Sequence, residues 1–147
     1  MTSRNRAALD KMLGASKVSR RSVAERTGDE VEATMAEVFA DDVEVHEPGC
    51  MPYGGVHKGR DTWFAVRREM LAKRAASPWQ QELNVLHIWE IPEDDVIIMH
   101  YLMEWTDKRT GRQFSQPSLE ILTFHDGKIV KTELFPQDSH ALLDTLE

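Results

Sequence analysis

Two glutamates stand out because each completes an otherwise apolar alternation. In FADDVEVHEP, Val43, Val45 and Glu47 fall on one face of a strand, with Glu44 and His46 on the other. In PSLEILTF, Ser118, Glu120, Leu122 and Phe124 form a second such set. A carboxylate among apolar neighbours loses hydration, so its pKa rises and it becomes a proton acceptor or donor near neutral pH. If two such groups shared a site, like charge would make one of them keep its proton. The sequence alone leaves their meeting open. Glu133, in KTELF, is a third carboxylate that could face either side of its strand.

The other polar residues carry less. His46, His57, His87, His100, His125 and His140 show no metal-ligand spacing, and HEP lacks the second histidine of a zinc helix, so no metal is expected. His100, inside VIIMHYLMEW, is either an acid or base entering a cavity or a packed strand residue. Cys50 lies in a turn-rich stretch without an identifiable histidine partner. GCMPYGG lacks the spacing and the lysine of a phosphate loop and reads as a structural turn, with Met51 and Tyr53 placed to cover a cavity mouth. Trp63, Trp79, Trp89 and Trp105 are spread through helix and strand, which suits core or dimer packing better than a ligand cage, although Trp63 could also border a pocket.

These residues need elements to position them. RNRAALDKML could form a short amphipathic helix, ended by the small and basic residues of GASKVSRRS. EVEATMAEVFADD places Val31, Met35, Val38 and Phe39 on one helical stripe, and VEVHEP then switches to strand alternation with a proline stop. RDTWFAVRREMLAKRAA carries Trp63, Val66, Met70 and Leu71 at helical spacing, with basic residues at the end where the helix dipole favours them. Residues 80–91, 95–107, 113–125 and 128–136 read as strands joined by PEDD, KRTG and HDGK, the last a compact hairpin signal. SHALLDTLE adds a terminal helical turn. Helices followed by a meander of long strands imply an α+β architecture.

Composition bounds the function. A chain of 147 residues suits one domain, here divided into a basic N-terminal arm or peripheral helix over residues 1–27 and a main domain over 28–147. Residues 1–26 hold seven basic and two acidic side chains, for +5, leaving −12 on the remainder and −7 overall. That balance argues against a phosphate-backbone binder, so nucleic acid is not an expected partner. A single cysteine, no signal-like apolar core in MTSRNRAALDK and no run long enough to span a bilayer point to a soluble cytoplasmic protein without a membrane partner.

FADDVEVHEP, followed by PYGG, Gly59 and PSLEILTFHDGKIVKTELF, resembles the SnoaL-like branch of the NTF2-like superfamily over residues 28–138. Its relatives include polyketide cyclases, ketosteroid isomerases and epoxide-acting enzymes. The resemblance implies a cone-shaped fold with a strongly curved mixed or antiparallel sheet, packed against N-terminal and central helices around a ligand cavity, commonly in a homodimer. By the ketosteroid-isomerase pattern, Glu47 before Pro48 matches the catalytic base, and Glu120, four residues before Phe124, matches the protonated acid that supports an enolate. Val23 stands where that pattern has its oxyanion-hole tyrosine, a role open to Tyr53 or Tyr101. The implied activity is isomerisation or cyclisation of an apolar oxygenated small molecule without a cofactor. Epoxide hydrolysis or cyclisation, and non-catalytic small-molecule binding, are the alternatives.

Overall fold

The computed structural model describes residues 2–16 and 29–146. The chain runs α1 (Arg4–Ser16), α2 (Asp29–Val38), β1 (Phe39–Glu47), β2 (Gly55–Lys58), α3 (Arg60–Ala76), β3 (Trp79–Ile91), β4 (Val96–Asp107), β5 (Gln113–His125), β6 (Lys128–Pro136) and α4 (Ser139–Asp144). Val23 and most of the break expected in GASKVSRRS lie outside the described residues; α1 itself continues through Gly14 to Ser16.

The strands form one six-stranded sheet in the order β2-β1-β6-β5-β4-β3. β1 runs parallel to β6 and every other neighbouring pair is antiparallel, so the sheet is mixed. The strongly curved, cone-shaped sheet implied by the resemblance does not form. The sheet is open and not strongly curled. Closure requires the edge strands to pair, and here the edges are a four-residue β2 and a thirteen-residue β3 that have no ladder between them.

Helices fill the space above one face. β4 alternates without a break, burying Ile97, Met99, Tyr101, Met103 and Trp105 and leaving the residues between them half-buried on the other face. The buried set joins Val31 and Met35 of α2, Trp63 and Phe64 of α3, and Leu142 of α4 in one core. Leu9 of α1 belongs to it as well, with none of its surface exposed. FADD, expected to end α2, instead opens β1: Phe39 pairs with Ile129, and a register shift before Glu44 takes up the extra residues.

Two turns set the frame for the site. Asp126 and Gly127 both have positive φ in the HDGK hairpin, the conformation that an Asp-Gly turn favours. Gly59, at φ 97°, links β2 to α3 and donates its N–H to the Val43 carbonyl of β1 at 2.9 Å, which ties the start of α3 to β1. Only glycine adopts that φ without strain. Among the described residues no helix is long and apolar enough to cross a membrane.

Candidate active site

A cavity of about 240 Å³ lies between the sheet and the helices. Its apolar lining comes from Met12 and Leu13 of α1, Val31 and Met35 of α2, Met70 and Leu71 of α3, Leu83 and Val85 of β3, Met99 and Met103 of β4, Leu134 of β6 and Leu142 of α4. The polar lining is Glu47, Tyr53, Arg67, Arg74, Gln81, Tyr101 and Glu120. The two glutamates singled out by alternation therefore meet in one cavity.

Register explains how. Glu120 on β5 lies between Met99 of β4 and Leu134 of β6, both of which face the cavity. Tyr101 is two residues from Met99, on the same face of β4, which brings its hydroxyl to the Glu120 carboxyl as a hydrogen-bond donor. Val43 and Val45 are buried, so the alternation of β1 delivers Glu47 to the same side at the strand's end. β6 separates β1 from β5, and Leu134 follows the Glu133 that pairs with His46. The two carboxylates thus reach into the cavity from strands roughly 10 Å apart at the backbone.

Both glutamates are only half-buried by surface, because they face the cavity, yet protein replaces bulk water around them. Burial raises Glu47 to about 8, with the nearby Glu120 charge adding to the rise and Arg74 opposing it. Burial raises Glu120 to about 7, against the Tyr101 hydrogen bond, which favours its charged form. Near neutrality the pair thus retains a proton, mainly on Glu47. Tyr101 is pushed well above the usual tyrosine value by burial and by both carboxylates, so it stays a donor. Burial also raises Tyr53, against the Arg74 guanidinium that hydrogen-bonds it.

Tyr53 is presented by a compact turn between β1 and β2, closed by Met51 N–H to Pro48 C=O at 3.1 Å and Gly54 N–H to Met51 C=O at 2.9 Å. A Cβ on Gly54 would fall 2.2 Å from the Pro48 carbonyl oxygen, so only glycine fits there. Met51, expected beside Tyr53 at the mouth, is buried in the core and does not line the cavity.

Other sequence candidates are distributed elsewhere. Trp63 is buried on α3 against His57, with ring centroids 5.7 Å apart, and does not border the cavity. Ser118 pairs with Tyr101 across the ladder; its hydroxyl is buried and has no hydrogen-bond partner among the described residues. His100 lies on the opposite face of β4, where its ring stacks with Trp89 at 6.1 Å. Glu133 precedes cavity-lining Leu134, points to the other face and pairs with Lys131 at 3.2 Å. Among the described residues no three His, Cys, Asp or Glu side chains are grouped to hold a metal ion.

The cavity arginines were missed from sequence. Arg67 and Arg74 are buried on α3, and Arg74 donates to the Tyr53 hydroxyl at 3.3 Å and to the Thr145 hydroxyl. A signal was present: Trp63, Arg67, Leu71 and Arg74 recur at three- and four-residue intervals, so both arginines sit on the buried stripe. Reading Arg74 only as a partner of the helix dipole concealed this.

The SnoaL-like domain family is matched over residues 20–132. No match is found among curated proteins. Solved structures extend the likeness over nearly the whole chain. An NTF2-like protein from Burkholderia pseudomallei K96243 is 18% identical, with 99% of this chain and 98% of that one covered, at a TM-score of 0.74. TerC, co-crystallised with polyporic acid, is 18% identical over 98% of each chain, at a TM-score of 0.73. Bal32a, from a soil-derived mobile gene cassette, is 18% identical over 98% of this chain and 97% of its own, at a TM-score of 0.71. Such identities speak to the fold alone, an α+β NTF2-like architecture, whereas the family match covers most of the sequence itself, and by that match the chain belongs to the SnoaL-like domain family.

Proposed function

We propose that the protein is a cofactor-independent isomerase or cyclase that moves a proton on a small, apolar, oxygenated molecule through Glu47 and Glu120. The observation that carries this reading is the convergence of two carboxyls with raised pKa in one largely apolar cavity. Near neutrality Glu120 ionises before Glu47 and is held by the Tyr101 hydroxyl. Glu120 then takes a proton from a carbon adjacent to a carbonyl, and protonated Glu47 donates to the developing enolate oxygen. This reverses the roles suggested by the sequence pattern. Return of the proton at another carbon gives isomerisation; attack by the carbanion on an internal carbonyl gives cyclisation. The co-crystallisation of TerC, a protein of the same fold, with polyporic acid supports a small-molecule ligand.

The same reading has the protein acting as a homodimer through the outer face of the sheet. Phe135 and Leu119 are cross-strand neighbours there, 51% and 41% exposed, and Trp89 adds a third exposed apolar side chain.

Deuterium incorporation tests the chemistry without knowledge of the product. Cyclic and aromatic ketones and 1,3-diketones are incubated with protein in D2O and analysed by mass spectrometry. Enzyme-dependent exchange next to the carbonyl, lost in Glu120→Gln and strongly reduced in Glu47→Gln, is the expected result. Exchange that persists in both variants, or none with wild type across the panel, contradicts the proposal.

A further inference from the structure

Arg74 is an unusual wall for an apolar cavity. It is 4% exposed, and its guanidinium donates to two neutral hydroxyls, those of Thr145 and Tyr53. A guanidinium has five N–H donors, and Arg74 forms no ion pair and no other side-chain hydrogen bond among the described residues. A buried cation costs free energy unless a counter-charge faces it. Glu47, on whose carboxyl the Arg74 charge acts, is largely protonated near neutrality and so supplies only part of one.

The arginine is also held in place. Thr145 is fully buried, its hydroxyl donates to the Leu142 carbonyl at 2.6 Å, and its carbonyl accepts from Ser77 Oγ at 2.7 Å. The end of α4 is thereby fastened to the end of α3 with Arg74 between them. A planar fork fixed in this way is suited to a planar oxyanion.

We infer that Arg74 is the anion receptor of the cavity, and that the ligand is an apolar small molecule carrying one carboxylate or an equivalent delocalised oxyanion. The inference rests on the proposed acid/base reading only in taking this cavity as the functional site. With about 240 Å³ available, the ligand is smaller than the drug-sized molecules that fill pockets of roughly 300–1,000 Å³. Its apolar body lies against the methionines and leucines, and its charged end meets Arg74.

Calorimetric titration with matched probes tests this. Cinnamate and 1-naphthoate are compared with cinnamamide and 1-naphthamide, which keep the shape and lose the charge. Wild type is expected to bind the acids roughly ten- to a hundredfold more tightly than the amides. Arg74→Met should abolish that preference and Arg74→Lys should keep part of it, each variant being checked for cooperative unfolding. Equal or tighter binding of the amides by wild type, failure of both acids to bind at millimolar concentration, or a preference that survives in folded Arg74→Met overturns the inference. Glu120→Gln is titrated in parallel. Because the measurement is of binding, an acid preference in wild type and in Glu120→Gln, together with no deuterium exchange by wild type, would remove the catalytic reading and leave the anion receptor standing. Exchange on neutral ketones without an acid preference would do the reverse.

Discussion

The carboxyl groups of Glu47 and Glu120 enter one cavity from β1 and β5, two strands separated by β6, and the charge of Glu120 raises the proton affinity of Glu47. Desolvation is the larger cause for both, so neither value depends on the pairing alone.

Activity should therefore follow a narrow bell in pH. The rising limb reports ionisation of the pair near 7 and the falling limb loss of its last proton near 8. A pH–rate profile of deuterium exchange checks this; a rate that climbs to a plateau from about pH 5 onward is incompatible with a pair that holds a proton near neutrality.

Tyr101→Phe removes the donor that favours charged Glu120. The Glu120 pKa then rises further, the acidic limb of the profile moves to higher pH, and the rate at neutral pH falls by roughly tenfold. An unshifted limb with a reduced rate would mean that the hydroxyl acts elsewhere.

Stability should respond to pH in the opposite sense from the usual carboxylate. Both folded pKa values lie above the unfolded value near 4.5, so between about 4.5 and 8 the folded chain binds more protons than the unfolded one. Their contribution is fully present below 4.5 and is lost as pH rises to about 8. Urea midpoints measured from pH 5 to 8 should fall more steeply for wild type than for Glu47→Gln/Glu120→Gln. Parallel curves would show that the two groups titrate alike in both states.

Leu9→Ala should cost about 2–4 kcal/mol, since Leu9 is fully buried in the main core and the substitution leaves a void. Chemical denaturation gives the value; a loss below about 0.5 kcal/mol would make α1 an appendage, as expected of a peripheral arm.

Much of this was legible in the sequence where one physical signal dominates. α3 spans Arg60–Ala76, and β5 and β6 span Gln113–His125 and Lys128–Pro136, as read, because their periodicity is long and turn residues bound them. Alternation also assigned Glu47 and Glu120 to the apolar side of their strands. It could not join them, since β1 meets β6 in a parallel, non-local pairing that local pattern does not encode. β2 escaped notice because four residues in a glycine-rich turn have no period to read. His100 was ambiguous because β4 is apolar on both faces, with Ile98 and Leu102 on its own side and Met99 and Tyr101 on the other, and Glu133 because it shares the outer face of β6 with Phe135, which is left exposed.

That outer face bears on assembly. Leu119→Lys/Phe135→Lys should convert a dimer to a monomer in sedimentation velocity while leaving acid binding in the cavity unchanged. A monomeric wild type at tens of micromolar would remove the homodimer.

The most direct test of the retained proton is a 13C NMR titration of the glutamate side-chain carboxyls from pH 4 to 9, assigned with Glu47→Gln and Glu120→Gln. Two carboxyls are expected to titrate near 7 and 8, with Glu47 moving to lower pH once Glu120 is replaced. If all glutamate carboxyls titrate close to 4.5, or if Glu47 is unmoved by loss of Glu120, the two groups do not form a coupled pair that retains a proton near neutrality.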